Sequence, residues 1–228
     1  MKPVFADGLY AAFDVGAFAI KVVVVERANG KNRLAVAEEE ILKPITEFPS
    51  EVEYREHVVR ALQQLAERIP LNQCRDLTGV FTNRELQIKL LDLPSQVLPE
   101  QFDSVLNFEA KKLLSPNFRN EPYVYSYRIL RDSPPVVALA VVPQSHLQRQ
   151  LDLYQEAGIR LKGLYPEIFG ELATKELLPT SGLPVFSLIN TGHTTTHMLI
   201  FANGEAKFTR QIPSGIAEVP DHFTGNEP

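Results

Sequence analysis

The apolar residues of this 228-residue chain fall mostly into short runs broken by turn residues. Leu9, Ala11 and Phe13 lead into Asp14 and Gly16, and a second apolar run leaves that turn from Ile20 to Val25. Such runs predict strands, so Tyr10–Glu26 predicts a hairpin of two buried strands. Asn29-Gly30 supplies the next hairpin turn, and Arg33–Ile41 a third strand. Ser50 with Glu53 makes a capping box for a helix with Val58, Leu62, Leu65 and Ile69 on one face. Leu77–Phe81 is a short buried strand, so the first block reads βββαβ.

A second block begins near Arg84. Leu86–Leu93 reads as a strand, Leu98-Pro99-Glu100 opens a helix burying Phe102, Leu106, Ala110 and Leu113, and Tyr123–Leu130 and Val136–Val142 are further strands. Asp132–Pro135 is the turn between them. Pro143 starts a helix with Leu147, Leu151 and Tyr154, which Gly158 stops. This is a compact βαββα unit. After Leu161–Leu164, Glu167–Leu177 predicts a helix and Pro179–Pro184 a turn-rich break. Val185–Ile189, Thr195–Phe201 and Ala206–Gln211 predict strands, the last two joined at Asn203-Gly204; Pro213–Pro228 reads as loop.

The composition, 44% hydrophobic and 22% charged, is that of a globular protein. A net charge of −5 argues against a broad electrostatic grip on nucleic acid or anionic lipid. One cysteine, Cys74, fits a reducing compartment, and neither a signal peptide nor an apolar run of membrane-spanning length is legible. The expectation is a soluble, cytoplasmic chain.

Chemistry enters through a repeat. Gly8-Leu9, a strand, Asp14-Val15-Gly16, a strand, Asn29-Gly30 and a third strand recur as Gly182-Leu183, a strand, Asn190-Thr191-Gly192, a strand, Asn203-Gly204 and a third strand. A duplicated sheet whose first hairpin carries an acidic or amide residue plus glycine suits two turns clamping a polyphosphate between their backbone N–H groups. The plain alternative for each copy is a turn capped by its own Asp or Asn. His193 and His197 invite thought of a metal pair, but four residues of strand span about 13 Å, so both cannot ligate one ion. No metal site and no catalytic residue is assigned.

The two hairpins resemble the phosphate-1 and phosphate-2 motifs of the actin and sugar-kinase superfamily. Asp14, Gly16 and Lys21 match the first; Gly192 and Thr196 match the second, where Asn190 stands in the place of an Asp. Within it the chain is similar to the actin-like PilM/FtsA family, through F-D-V-G-A-F-A-I-K, the helix around L-P-E-Q-F-D-S-V-L-N-F-E-A-K-K-L-L, V-A-L-A-V-V-P-Q-S-H-L and L-I-N-T-G-H-T-T-T-H-M-L-I-F-A-N-G. The resemblance covers most of residues 8–216. It implies an α/β, actin-like fold of duplicated lobes with an FtsA-type βαββα insertion and an incomplete second lobe. The implied divisions are 1–83 first lobe, 84–158 insertion, 159–181 connection, 182–216 start of the second lobe and 217–228 tail.

By the same resemblance Asp14 would face a metal and its waters, while Lys21 and the backbones of Gly16 and Gly192 would face phosphate. Ala17, Phe18 and Ala19 offer no hydroxyl, and Asn190 lacks the charge that helps to order a magnesium-bound water. The expectation is therefore a degenerate site with no working cofactor, ATP with magnesium being the pair that a residual site would take. The implied role is a scaffold at the inner face of a bacterial inner membrane. It would bind the cytoplasmic tail of a pilus component and help to place an assembly ATPase, without inserting into the membrane or binding nucleic acid. Two rivals are the cytoplasmic domain of a type II secretion L component and, from another class, an active ATPase or sugar-kinase-type phosphotransferase.

Overall fold

The computed structural model describes residues 6–178 and 183–218. Gly182, most of the break predicted at Pro179–Pro184 and the tail from 219 lie outside them. The chain opens with β1 (Gly8–Val15), β2 (Ala19–Ala28), β3 (Lys31–Ile41), α1 (Glu51–Glu67) and β4 (Cys74–Phe81). It continues with β5 (Gln87–Asp92), α2 (Phe102–Leu113), β6 (Tyr123–Asp132), β7 (Pro135–Pro143), α3 (Gln144–Glu156) and β8 (Gly163–Pro166). α4 (Glu167–Thr174), β9 (Val185–Thr191), β10 (Thr196–Ala202) and β11 (Glu205–Ile212) follow. The helix predicted over Glu167–Leu177 stops three residues early, because Glu176 and Leu177 turn their N–H groups to Ala173 and Thr174, three positions back. Within the segment expected to be loop, Ile216–Glu218 forms a 3-10 turn.

The residues divide into two compact units, one of residues up to Thr82 with Gln148–Tyr165, the other of Asn83–Leu147 with the chain from Pro166. The first unit is a mixed sheet of order β3-β2-β1-β4-β8, with β1 antiparallel to β2 and parallel to β4. Alternation decides its faces: Ala11 and Phe13 of β1 and Ile20, Val22 and Val24 of β2 join one core with Val58, Leu62 and Leu65 of α1 and Tyr154 of α3. Each fully buried Leu or Phe there contributes about 1.5–3 kcal/mol. Phe13 and Tyr154 meet edge to face, ring centres 6.1 Å apart. α1 begins as predicted: the Glu53 N–H donates to Ser50 Oγ at 3.3 Å, a cap worth about 1 kcal/mol.

The second unit holds two three-stranded sheets, β5-β7-β6 and β11-β10-β9. β7, reading P-V-V-A-L-A-V-V-P, is buried along its whole length. Its unbroken apolar run has that cause: Val137, Leu139 and Val141 pack with Phe102, Leu106 and Ala110 of α2, while Ala138 joins Ile168 and Leu172 of α4 and Leu199 and Phe201 of β10. Phe186 stacks on Phe201 at 4.8 Å. Both meanders turn on the same dipeptide: Asn29 and Asn203 each have φ 51°, followed by Gly30 at 74° and Gly204 at 77°. Two successive positive φ values are the primed hairpin geometry that Asn-Gly favours.

Two glycines of the second unit should respond oppositely to a methyl group. A Cβ on Gly215 would lie 2.4 Å from Gly192 O and 2.5 Å from His193 O, both backbone. Gly215→Ala is expected to destabilise by about 1–3 kcal/mol. Gly170 lies inside α4 with nothing within 4 Å of a new Cβ, so Gly170→Ala should stabilise by about 0.4–1 kcal/mol. Urea denaturation of the two variants beside wild type checks both signs.

Candidate functional site

The first hairpin sets Asp14 and Lys21 opposite each other on β1 and β2, and Lys21 opposite Glu39 on β3. Its turn is closed by the Gly16 N–H donating to Ala19 O at 3.0 Å, so close that a Cβ on Gly16 would sit 3.1 Å from that oxygen. Phe18, at the tip, is 51% exposed, and its carbonyl accepts the Leu42 N–H at 2.8 Å. Burial raises the Asp14 carboxyl above its ordinary range, and the Lys21 charge counters this only in part. Tyr154 feels the same carboxylate. Burial first, and the Asp14 charge second, push its phenol above the usual tyrosine range. Gln150, whose amide nitrogen donates to Val80 O at 2.9 Å, pulls the other way without reversing the shift.

The second hairpin repeats the closure atom for atom. The Gly192 N–H donates to Thr195 O at 2.8 Å, and a Cβ there would again lie 3.1 Å from the acceptor. Around it the two copies differ. Thr196 Oγ1 donates to Ser214 O at 2.8 Å, and the Ile216 and Ala217 N–H groups donate to Gly192 O and His193 O at 2.9 and 3.0 Å. The segment after β11 is thus laced across the turn, which requires the close approach at Gly215.

The Asn190 side chain is engaged by two carboxylates. Its Nδ2 donates to Glu167 Oε1 at 2.7 Å and to Glu171 Oε1 at 2.8 Å. His197, its cross-strand neighbour on β10, is buried and places Nδ1 3.1 Å from Glu171 Oε1 and 3.8 Å from Glu167 Oε2. Burial lowers the His197 pKa, but the hydrogen bond to Glu171 and the charges of Glu171 and Glu167 outweigh it, and the net direction is up. Asp14, Gly16 and Lys21 therefore come together in one unit, and Asn190, Gly192 and Thr196 in the other. Sequence reasoning missed Glu167, Glu171 and His197 as a group. One signal was available: Glu171 falls in the buried stripe of α4 with Ile168 and Leu172, where a carboxylate needs a partner.

No protein-family model and no curated protein matches the chain by sequence. Among solved structures it is similar to a PilM–PilN type IV pilus biogenesis complex, with TM-score 0.71 and 18% identity over 92% of this chain. It spans 62% of that chain, less than two thirds. A Bacteroides thetaiotaomicron protein of unknown function described as having an actin-like ATPase fold gives TM-score 0.54 and 10% identity over 93% of this chain and 72% of the other. The fold is actin-like. The fold implied by the hairpin sequences is borne out. The cytoplasmic domain of EpsL, an inner membrane component of the type II secretion system of Vibrio cholerae, is also similar, at TM-score 0.52 and 11% identity over 90% of this chain and 71% of that one. Among the described residues no helix is long and apolar enough to cross a membrane.

Two predictions follow from the charges. Burial disfavours ionised Asp14, so Asp14→Asn should raise the melting temperature near neutral pH, a gain that disappears on acidification as the wild-type carboxyl protonates. For His197 the folded pKa lies above the unfolded value of about 6.5. Its contribution is fully present below about pH 6.5 and is lost as pH rises through the folded value. Denaturant titrations from pH 6 to 9 should show that loss in wild type and not in His197→Gln.

Proposed function

We propose that this chain is an actin-like scaffold of a type IV pilus or related assembly machine. It binds the cytoplasmic tail of an inner-membrane partner and helps to position an assembly ATPase, without itself turning over nucleotide. The observation that carries this reading is the likeness to the PilM–PilN complex over 92% of the chain. The state of the two hairpins supports the absence of turnover. The Gly16 and Gly192 N–H groups close their own turns, the Thr196 hydroxyl is held by Ser214 O, and Asn190 is engaged with Glu167 and Glu171. Groups that a phosphate would need already have partners inside the protein. ATP with magnesium remains the ligand that such a site would take if any.

Tail capture proceeds by edge pairing, in which an extended peptide adds a strand to an open sheet edge and side-chain pockets select it. β6 is an outer strand of β5-β7-β6 and carries exposed Val124 and Ile129 beside its backbone. The protein acts at the inner face of the membrane through such partners. The likeness to the EpsL cytoplasmic domain favours a second reading, in which the captured tail and the ATPase belong to a type II secretion system.

Titration of the chain with a fluorescent ATP analogue, with and without magnesium, should give no magnesium-dependent binding in the micromolar range. Pull-down with tail peptides from the pilus and secretion inner-membrane components should retain one of them. Micromolar, magnesium-dependent ATP binding would sink the pure scaffold, and failure of both peptides would remove the tail-binding role.

A further inference from the structure

Two pieces of local geometry bring unassigned chemistry together inside the second unit. Glu167 and Glu171, four residues apart on α4, lie on one face of the helix. His197 and Asn190 are direct cross-strand partners on β10 and β9. Together they place one ligand atom each from Glu167, Glu171 and His197 within 4.8 Å of one another. The separations from His197 Nδ1 are 3.1 Å to Glu171 Oε1 and 3.8 Å to Glu167 Oε2. Four ligands at about 2.1 Å around a tetrahedral ion stand about 3.4 Å apart, and the observed distances bracket that value.

Burial supplies an independent reason to look for a ligand. Glu171 is 7% exposed and its Oε2 has no hydrogen-bond partner among the described residues. A carboxylate oxygen sealed from water without a donor is costly, and a cation beside it removes that cost. His197 is 3% exposed, so the site is shielded from competing water on that side.

We propose that Glu167, Glu171 and His197 bind a divalent cation of the zinc class, with the Asn190 amide oxygen as the fourth donor. The donor set selects the ion: an imidazole with carboxylates and no thiolate suits Zn²⁺, Co²⁺ or Ni²⁺, whereas Mg²⁺ takes oxygen ligands in an octahedron. With no ion bound, Asn190 presents its nitrogen to both carboxylates; a half-turn of the amide presents the oxygen instead. The site shares Asn190 with the second hairpin, and it does not rest on the scaffold reading.

Equilibrium dialysis of the 228-residue chain against Zn²⁺, Co²⁺ and Mg²⁺ tests it, with the visible absorption of bound Co²⁺ reporting coordination. The expected result is one equivalent of Zn²⁺ or Co²⁺, a tetrahedral cobalt spectrum and no uptake of Mg²⁺. His197→Gln and Glu171→Gln should weaken binding by more than about 100-fold, since second-shell changes alone cost about 10–100-fold. Glu167 is partly exposed, so Glu167→Gln should keep the wild-type melting curve in chelator and still lose at least about tenfold in affinity. That variant decides the matter if either buried substitution prevents folding. No uptake by wild type overturns the proposal. So does uptake that Glu167→Gln leaves unchanged, which would place the ion elsewhere, for instance at Cys74.

Discussion

Both copies of the duplicated sheet are organised around a tight turn that leaves little room for a side chain at its glycine. Two antiparallel strands must reverse direction within three or four residues while their inward-facing members stay in register with a core. The reversal closes on a glycine N–H that donates to a carbonyl three residues on, Gly16 to Ala19 and Gly192 to Thr195. If either turn lengthened by one residue, the alternation along the next strand would change face. Ile20, Val22 and Val24 would then lose the core they share with α1. The turns therefore set strand register first. Any ligand chemistry at the turns is built on top of that constraint.

The second unit shows what happens to polar groups that such a fold encloses. Glu171 and His197 sit beside Ile168, Leu172 and Leu199, in surroundings that oppose charge on either one alone. They persist because they face each other and because Asn190 holds both glutamates. An isolated ion pair of this kind seldom adds net stability, yet breaking it by removing one member leaves an uncompensated charge. The cluster is thus better read as a geometric lock between α4 and the β9–β10 pair than as a source of stability.

Much of this was legible in the residues. The period-two runs around Phe13 and Val22, the Asn-Gly turns, the Ser50 cap and the apolar β7 each had a local cause, and each formed where that cause acts. The duplicated turns were visible because a glycine with a flanking Asp or Asn recurs between apolar runs at matching places in the sequence. The polar cluster was not visible, because its members come from residues 167, 171, 190 and 197 on three elements, and only packing brings them together. The early end of α4 depended likewise on hydrogen bonding in its last turn. The lacing of Ser214–Ala217 over the second turn was hidden for the same reason: Gly215 looks like any loop glycine until its neighbours are known.

That lacing makes the second copy of the motif part of a larger mechanical unit. The first turn is steadied from outside by the hydrogen bond from the Leu42 N–H to Phe18 O. The second is held by three contacts from one contiguous segment, so its turn and the segment must detach as a cooperative patch. In amide hydrogen exchange the second turn would then open only together with its strap. The segment past the last strand has become a structural part of one copy of a duplicated turn.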